Sequence, residues 1–507
     1  MPQEPLLPSI QTRTTPKPAP NGLGRGLFAT TDFRTGDDVL HIQGPFVAVL
    51  DTQRLEDTCS GCFGKKQLEA ESENGVDAKA CSGCQVVKYC DKSCQAKDWK
   101  SGHSMECAIY KKLKPKILPN NARAVLRMVL RTAAKKNAYA PQEMELFYQL
   151  ETHIREIREK NHAHWERISL SSMAVKEYSG TDMKLELISA FSARLDLNSF
   201  NLTTSVYDRV GLYLHPYAAI VNHSCEFNSV VGFDGPELYI KAIRPIGRGD
   251  QIFISYVDAT SPPRIRRREL RERYFFDCHC ERCSSENAQG QEAEIGDVAK
   301  DAYGLLESGS ASNNVEKLMD TMNSLILHPW PITKQPLVST LDALIAAMIT
   351  AGDLKAALPL VALRYLYIDP VVYPSEAHPL RIVHAWTMAR LAIHFTQTER
   401  ETALQVLGEV GDDGSPAVSE VRVNLGPIVW SVLNGLAAKI DGSCAVPGLK
   451  GMVKRAFAHT HLVCRSRGID PGLMRKESEA EWVKLHRAVR SVLGEKVIPE
   501  GVITFGD

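Results

Sequence analysis

Between Cys59 and Cys107 the chain carries eight thiol or imidazole side chains in four short-spaced pairs: Cys59-x2-Cys62, Cys81-x2-Cys84, Cys90-x3-Cys94 and His103-x3-Cys107. No other stretch constrains the fold so tightly. Each pair sets two ligands on one turn, where a metal bridges them at little loop-closure cost. Eight such ligands suit two closed tetrahedral zinc sites. The segment is too short and polar to have a core of its own, so metal binding, on the order of 10–16 kcal/mol per structural zinc in small fingers, has to fold it. A complete ligand set leaves no open position, which argues for a structural role rather than a catalytic one. The polar stretch Lys65–Lys79 inside it reads as a solvent loop.

A second ligand group is incomplete where it stands. Cys278-x-Cys280-x2-Cys283 offers three thiols, and Cys225, at the end of Asn222-His223-Ser224-Cys225, is the obvious fourth. If those four meet, the chain folds back on itself. Asn222 and His223 then come close to Tyr256, which ends the strand-like run Ile252–Tyr256. The two remaining thiols, Cys444 and Cys464, read as core or surface residues.

The 507 residues correspond to roughly three domains. Sixty Lys and Arg balance sixty Asp and Glu, which argues against a protein devoted to coating nucleic acid. No run reaches the ~18 apolar residues that span a bilayer. The N-terminus lacks the layout of a signal peptide, so an intracellular address is expected, and cysteines there read as metal ligands before disulfides. Residues 1–20 hold six prolines and read as a disordered leader. In Asn21-Gly22-Leu23-Gly24-Arg25-Gly26-Leu27-Phe28-Ala29, the tail matches a dinucleotide fingerprint. No strand is expected before it, so a flexible glycine turn entering a strand is the reading that stands. Lys111–Lys116 reads as a solvated linker, and residues 121–192 as mainly helical, with Val125, Leu126, Val129 and Leu130 at helical spacing. Val230–Phe233 and Leu238–Ile243 are short β-runs about the turn Asp234-Gly235-Pro236, and Arg248-Gly249-Asp250 makes another turn before Gln251–Tyr256. The six arginines between Arg264 and Arg273 read as a solvated helix face.

From Asp301 to Gly494 the pattern is helical. Leu337, Leu341, Leu344, Ile345 and Met348 keep one apolar face, the helix ends near Gly352, and Asp353 caps the next. Further helices are expected over Pro379–Phe395, Gly426–Ile440 and Leu449–Cys464.

The zinc segment, with Tyr89 before Cys90, Gln95 after Cys94 and Trp99 ahead of His103, resembles the MYND zinc finger. That resemblance implies interleaved sites: Cys59, Cys62, Cys90 and Cys94 on one zinc, Cys81, Cys84, His103 and Cys107 on the other. Gly24-Arg25-Gly26, Asn222-His223-Ser224-Cys225, Gly249-Asp250-Gln251-Ile252 leading to Ser255-Tyr256, and the Cys278 cluster add a second resemblance. Together they look like the SET- and MYND-domain protein lysine methyltransferases, densely from Gly22 to Cys283 and more loosely beyond. Phe227, Leu197 and Asp250-Gln251 depart from that family's usual residues without removing a group the chemistry needs.

The resemblance implies an α+β multidomain chain. A β-rich SET fold (21–58 and 197–258) would carry an inserted MYND finger (59–107) and a helical insert (108–196), closed through a pseudoknot. A zinc-bound post-SET segment (259–285) would precede an all-α, tetratricopeptide-like C-terminal domain (300–495). It implies S-adenosylmethionine as cofactor beside three zinc sites, the third made by Cys225, Cys278, Cys280 and Cys283. Gly24, Arg25, Gly26, Asn198, Asn222, His223, Tyr274 and Phe276 would form the cofactor pocket, with Tyr256 catalytic. Methyl transfer to an amine is an in-line displacement, in which positioning supplies most of the acceleration. A lysine of ordinary pKa near 10.4 has to arrive neutral through an apolar, aromatic channel. The expected substrates are histone or non-histone proteins, the expected role is chromatin regulation in nucleus or cytoplasm, and the expected state is a monomer. A proline-rich partner at the MYND finger is also expected. A second reading is a transcriptional scaffold that binds partners through the finger and the helical domain, its SET domain vestigial.

Overall fold

The structure, a computed structural model, describes residues 9–20, 22, 24–70, 76–134, 138–288, 296–307, 314–328, 330–410 and 416–493. Readings that touch residues 1–8, Asn21, Leu23, 71–75, 308–313 and 494–495 lie outside it. The chain forms two compact units: Met1–Val257 with Arg267–Arg282 and Val446–Leu449, and Asp258–Arg266 with Cys283–Ala445 and Lys450–Asp507.

The first unit is built from short strands in small sheets. In chain order they are β1 (Ile10–Thr12), β2 (Thr14–Pro18), β3 (Arg25–Ala29), β4 (Asp38–Ile42), β5 (Val47–Leu50), β6 (Lys79–Ala80), β7 (Lys88–Tyr89), β8 (Phe200–Thr203), β9 (Arg209–Leu214), β10 (Asn222–His223), β11 (Ser229–Asp234), β12 (Glu237–Ala242) and β13 (Phe253–Ile254). A four-stranded sheet runs β1-β4-β12-β11 and a three-stranded one β5-β9-β8, while β2-β3, β6-β7 and β10-β13 are pairs. β11 and β12 face each other across the expected turn, from Asp234↔Glu237 back to Ser229↔Ala242, with Gly235 at φ +63°. Leu238, Ile240 and Ala242 are buried together with Val39, Leu40 and Ile42 of β4.

Two sequence readings in this unit need correction. Residues 10–18 are not a disordered leader: they form β1 and β2. Ile10 is buried, and the threonines favour extended backbone. Pro16 and Pro18, two residues apart, turn their hydrogen-less nitrogens to the same side of β2, which pairs only with β3 and so tolerates them as an edge. Lys65–Lys79 is not wholly a solvent loop either. Lys65–Glu69 is a helical turn, and Lys65 Nζ lies 2.8 Å from the buried carboxylate of Asp234.

The helix Asn120–Ala133 buries Val125, Leu126 and Val129 as its spacing predicts, with Leu130 half-buried. Its arginines do something the spacing does not announce. Arg123, Arg127 and Arg131 donate to the carbonyls of Leu50 (2.7 Å), Ala48 (3.2 Å) and Phe46 (2.9 Å). Four residues of helix rise about 6 Å and two of strand about 6.7 Å, so the two ladders stay in step. β5 has a strand neighbour on one side only, and the arginines satisfy its outer edge. Arg127 also donates to Glu106 through Nε and Nη2, both at 2.7 Å, and its Nη2 lies 3.1 Å from Asp98 Oδ1. Asp98 Oδ2 accepts the hydroxyl of Tyr89 at 2.7 Å. All four residues are buried.

The second unit is helical save for one hairpin. Leu337–Ala351 ends at Gly352 (φ +80°), and Asp353 accepts the Ala356 N–H to start Leu354–Leu363. Pro379–Thr398, Leu425–Lys439 and Pro447–Ser466 follow close to the expected bounds. The exception is the antiparallel pair β14 (Thr402–Val410) and β15 (Pro416–Val423), inside the stretch read as helical throughout. Its local signal is alternation, with Thr402 and Leu404 buried between an exposed Glu401 and Gln405. The arginine-rich helix Pro263–Tyr274 forms, but Arg266 is no solvated side chain. It is fully buried, donates to the Ser261 carbonyl at 2.6 Å and pairs with Glu286. Cys444 and Cys464 are both core residues.

Removing Arg127 strands two buried carboxylates. Arg127→Ala is expected to cost about 3–5 kcal/mol, the range for breaking a buried ion pair, as read by denaturant unfolding of the zinc-loaded protein.

Candidate active site and metal centres

Three groups of ligands converge: Cys59, Cys62, Cys90 and Cys94; Cys81, Cys84, His103 and Cys107; Cys225, Cys278, Cys280 and Cys283. Within each, the ligand atoms lie no more than 4.8 Å from one another. The spacing fits zinc. A Zn–S bond of about 2.3 Å gives tetrahedral edges of roughly 3.8 Å. Cys62 and Cys90 Sγ are 3.9 Å apart, as are Cys81 and Cys107, and Cys84 Sγ is 3.6 Å from His103 Nε2. A disulfide would need about 2.05 Å, and all thirteen cysteines are free. Two of the ligand thiols, Cys59 and Cys84, are drawn towards thiolate, whereas Cys62, Cys90, Cys94, Cys107 and Cys278 are held above the ordinary thiol value. A hydrogen bond from Cys62 is the largest effect holding Cys59 down, at about 5. Burial opposes ionisation of Cys84, but its bonds from His103 and the Val86 and Val87 amides outweigh that and bring it to about 6. Behind His103, Nδ1 lies 3.9 Å from Glu106 Oε2, so the carboxylate held by Arg127 also backs a ligand imidazole.

The cavity that matters for chemistry lies in the first unit and has a volume of about 770 Å³, within the range of small-molecule sites. Gly24, Arg25, Asn198, Asn222, His223, Tyr256, Tyr274 and Phe276 all line it. β10 runs parallel to β13 in the register Asn222↔Phe253 and His223↔Ile254, which sets the tetrapeptide beside Ser255 and Tyr256. The amide of Tyr256 donates to His223 Nδ1 at 3.0 Å. That nitrogen is therefore the acceptor, and the proton sits on Nε2, 3.3 Å from Cys225 Sγ. The hydroxyl of Tyr256 donates to the Val221 carbonyl at 2.7 Å. Around it stand Tyr274 (ring centroids 4.9 Å), His223 (5.3 Å) and Phe276 (6.5 Å, edge-on). Burial, with a smaller push from Tyr274, raises the Tyr256 phenol well above its ordinary value, so it stays protonated.

Asn222 Nδ2 donates to the Arg25 carbonyl at 3.0 Å, tying the glycine turn to the tetrapeptide. Gly24 takes φ +67°, a conformation that suits glycine. Gly26 does not line the cavity. It sits in β3 against Gln251 and Asn222, and a Cβ there would come within 2.3 Å of Gln251 Nε2. Its visible contribution is close packing. Asn198 Nδ2 donates to the carbonyls of Glu151 (3.0 Å) and Arg194 (2.8 Å), fixing how the side chain is held.

Sequence reading missed part of the wall: Gln149, Leu150, Glu151, His153, Phe200 and Phe275. Phe275 has φ +62°, rare for an aromatic residue, and with it Tyr274, Phe275 and Phe276 all reach the cavity. The run of three aromatics was the available signal. Nothing local marks His153, which packs on Phe275 at 5.0 Å.

A family model described as the SET domain matches residues 24–257. The fold and the cavity are those of a SET-domain protein. Histone-lysine N-methyltransferase SMYD3 of Mus musculus is 26% identical over 384 residues, covering 73% of this chain and 86% of that protein. SET domain and MYND-type zinc finger protein 6 of Schizosaccharomyces pombe is 31% identical over 265 residues, 52% of this chain and 50% of its own length. N-lysine methyltransferase SMYD2 of Mus musculus is 28% identical over 279 residues, 54% of this chain and 61% of its own. The chain is thus similar, over half or more of its length, to lysine methyltransferases and to a protein named for its SET domain and MYND-type zinc finger.

Metal analysis of the purified protein is expected to give three zinc ions per chain, one for each ligand group. Cys225→Ser is expected to lose one and keep the finger pair, whereas Cys94→Ser is expected to unfold the finger and expose it to protease.

Proposed function

We propose that this chain methylates the side-chain amine of lysine in histone or non-histone proteins, with Tyr256 at the reacting centre. The observation that carries the reading is the position of Tyr256. Its hydroxyl is anchored on the Val221 carbonyl, inside a cavity whose walls include Gly24, Arg25, Asn198, Asn222 and His223. S-adenosylmethionine, when bound there, supplies the methyl group. The residues fit such a ligand. Asn198, Asn222 and main-chain groups at Gly24 and Arg25 offer neutral polar contacts for a zwitterionic end, and Phe276 and Tyr274 offer flat apolar faces for a base.

The chain's own part in the reaction is positional. Tyr256 uses its proton on Val221, which leaves the oxygen lone pairs to accept from an amine N–H and orient it. Its raised pKa excludes a phenolate general base at neutral pH. The substrate amine has to lose its proton elsewhere, and a site walled by Tyr256, Tyr274 and Phe276 disfavours the charged form. Cys225 Sγ lies beside His223 Nε2, and His223 holds the Tyr256 backbone, so a zinc held by Cys225, Cys278, Cys280 and Cys283 would act by placement.

Chromatin regulation, with residence in the nucleus, the cytoplasm or both, is part of this proposal, supported by the histone-lysine activity in the names of several relatives. One feature favours a partner at the finger. A cavity of about 480 Å³ is lined by Ser82, Gly83, Lys92, Gln95, Ala96 and Trp99 together with the ligands Cys81 and Cys107, and Trp99 is 46% exposed. An exposed indole beside a small groove suits a proline-rich segment. We read the enzyme as a monomer.

The test is transfer of label from S-adenosylmethionine to histones and to cell-extract proteins. Tyr256→Phe, which removes the oxygen that orients the amine, is expected to lower turnover roughly 100-fold or more, the order lost when a reacting group is misplaced, with the cofactor affinity retained. Activity should rise with pH as the substrate amine deprotonates and show no fall from titration of Tyr256. A wild-type enzyme that binds cofactor yet labels no protein lysine would leave the scaffold reading in its place.

A further inference from the structure

A second cavity, of about 730 Å³, lies in the same unit and shares a wall with the first: Leu197, Ser199, Phe200, Asn201, Arg273 and Phe275 line both. Asn198, Asn222, His223, Tyr256, Tyr274 and Phe276 do not line it. Its floor is apolar, with Ile157 and Leu212 joining Phe200 and Phe275, and its rim carries Arg167, Arg209 and Arg273 against Asp196 and Glu272.

Two of the carboxylates at hand are already engaged. Asp196 Oδ2 takes both His164 Nε2 (2.9 Å) and Arg167 Nη2 (3.0 Å). Asp51, just outside the cavity, takes Arg209 Nε at 3.0 Å together with Asn120. A guanidinium has five N–H donors. These ion pairs use one from Arg167 and one from Arg209, and both side chains remain more than half exposed, at 57% and 54%. Charge there is balanced, with Arg167, Arg209 and Arg273 against Asp196, Asp51 and Glu272, so what is in excess on the rim is N–H donors, over a floor of apolar side chains.

We propose that this cavity binds a small organic anion of nucleotide type, its planar body on Phe200 and Phe275 and its anionic groups on Arg167 and Arg209. The volume is that of a small-ligand site, and arginine forks match phosphate oxygens in geometry as well as charge. The site is distinct from the cofactor cavity but lies against the same two phenylalanines. The proposal does not depend on methyl transfer.

The experiment uses the full zinc-loaded chain, with ATP as probe in titration calorimetry, in the presence of saturating S-adenosylhomocysteine. ATP is expected to bind once per chain under those conditions. The double substitution Arg167→Gln, Arg209→Gln is expected to weaken it about tenfold or more, the loss expected of one charge-assisted hydrogen bond. Ala163→Trp, which fills the cavity from the helix His162–Ser179 without removing a charge, is expected to abolish it. Both variants should keep the thermal midpoint and the S-adenosylhomocysteine affinity of the wild type. Tripolyphosphate binding as tightly as ATP would overturn the role given to the aromatic floor. Displacement of ATP by S-adenosylhomocysteine would place it in the cofactor cavity instead. No ATP binding, or equal binding by wild type and both variants, would overturn the site itself.

Discussion

Arg127 is the side chain on which the most distant parts of the first unit depend. One nitrogen reaches the edge of β5, and the others clamp two carboxylates of the zinc finger, one of which stands behind the ligand His103. A charge buried this deeply is tolerable only when its partners are fixed. Here the partners are fixed from opposite directions. Metal ligation orders the segment that carries Asp98 and Glu106, and the sheet orders the carbonyl of Ala48. The finger is thus not a bead on a string but one side of a buried ionic network whose other side is the SET sheet. Zinc that folds the finger therefore also completes the satisfaction of a strand edge some fifty residues upstream in sequence.

The same logic recurs, on a smaller scale, at the cofactor cavity. Glycine at position 26 lets Gln251 and Asn222 close against β3, and Asn222 then holds the carbonyl of Arg25. The glycine turn, the tetrapeptide and the strand before Tyr256 are separated widely along the chain, yet each is held by a contact that the next one makes possible. Such a cavity cannot be assembled piecemeal, which is why its polar groups are fixed by main-chain partners rather than by one another.

How much of this was legible follows from the range of each interaction. The zinc ligands were readable because metal chemistry imposes close spacing on the chain itself. The tetrapeptide and Tyr256 were readable because a recognisable family pattern joins them. The arginine ladder was not: its period of four is ordinary helix surface, and its meaning depends on carbonyls of a strand more than seventy residues away. Arg266 misleads in the same way, since a buried arginine and a solvated one look alike until Glu286 is placed beside it. The leader was misread because proline content was weighed without asking which strand edge the prolines occupy. His153 and Phe200 joined the cavity wall through tertiary packing alone.

The short separation between His223 and Cys225 has a consequence that neither residue would have alone. A neutral imidazole has one donor and one acceptor nitrogen, and here the Tyr256 amide requires Nδ1 to accept. The proton must then lie on Nε2, beside the Cys225 sulfur. A protonated thiol there would offer a weak partner, whereas a metal-bound thiolate is an anionic acceptor that holds this tautomer in place. A zinc bound at Cys225 would thus reinforce the tautomer that leaves Nδ1 free to hold the backbone of Tyr256. Two residues of spacing are enough to carry a charge state on sulfur into the placement of a phenol that never touches the metal.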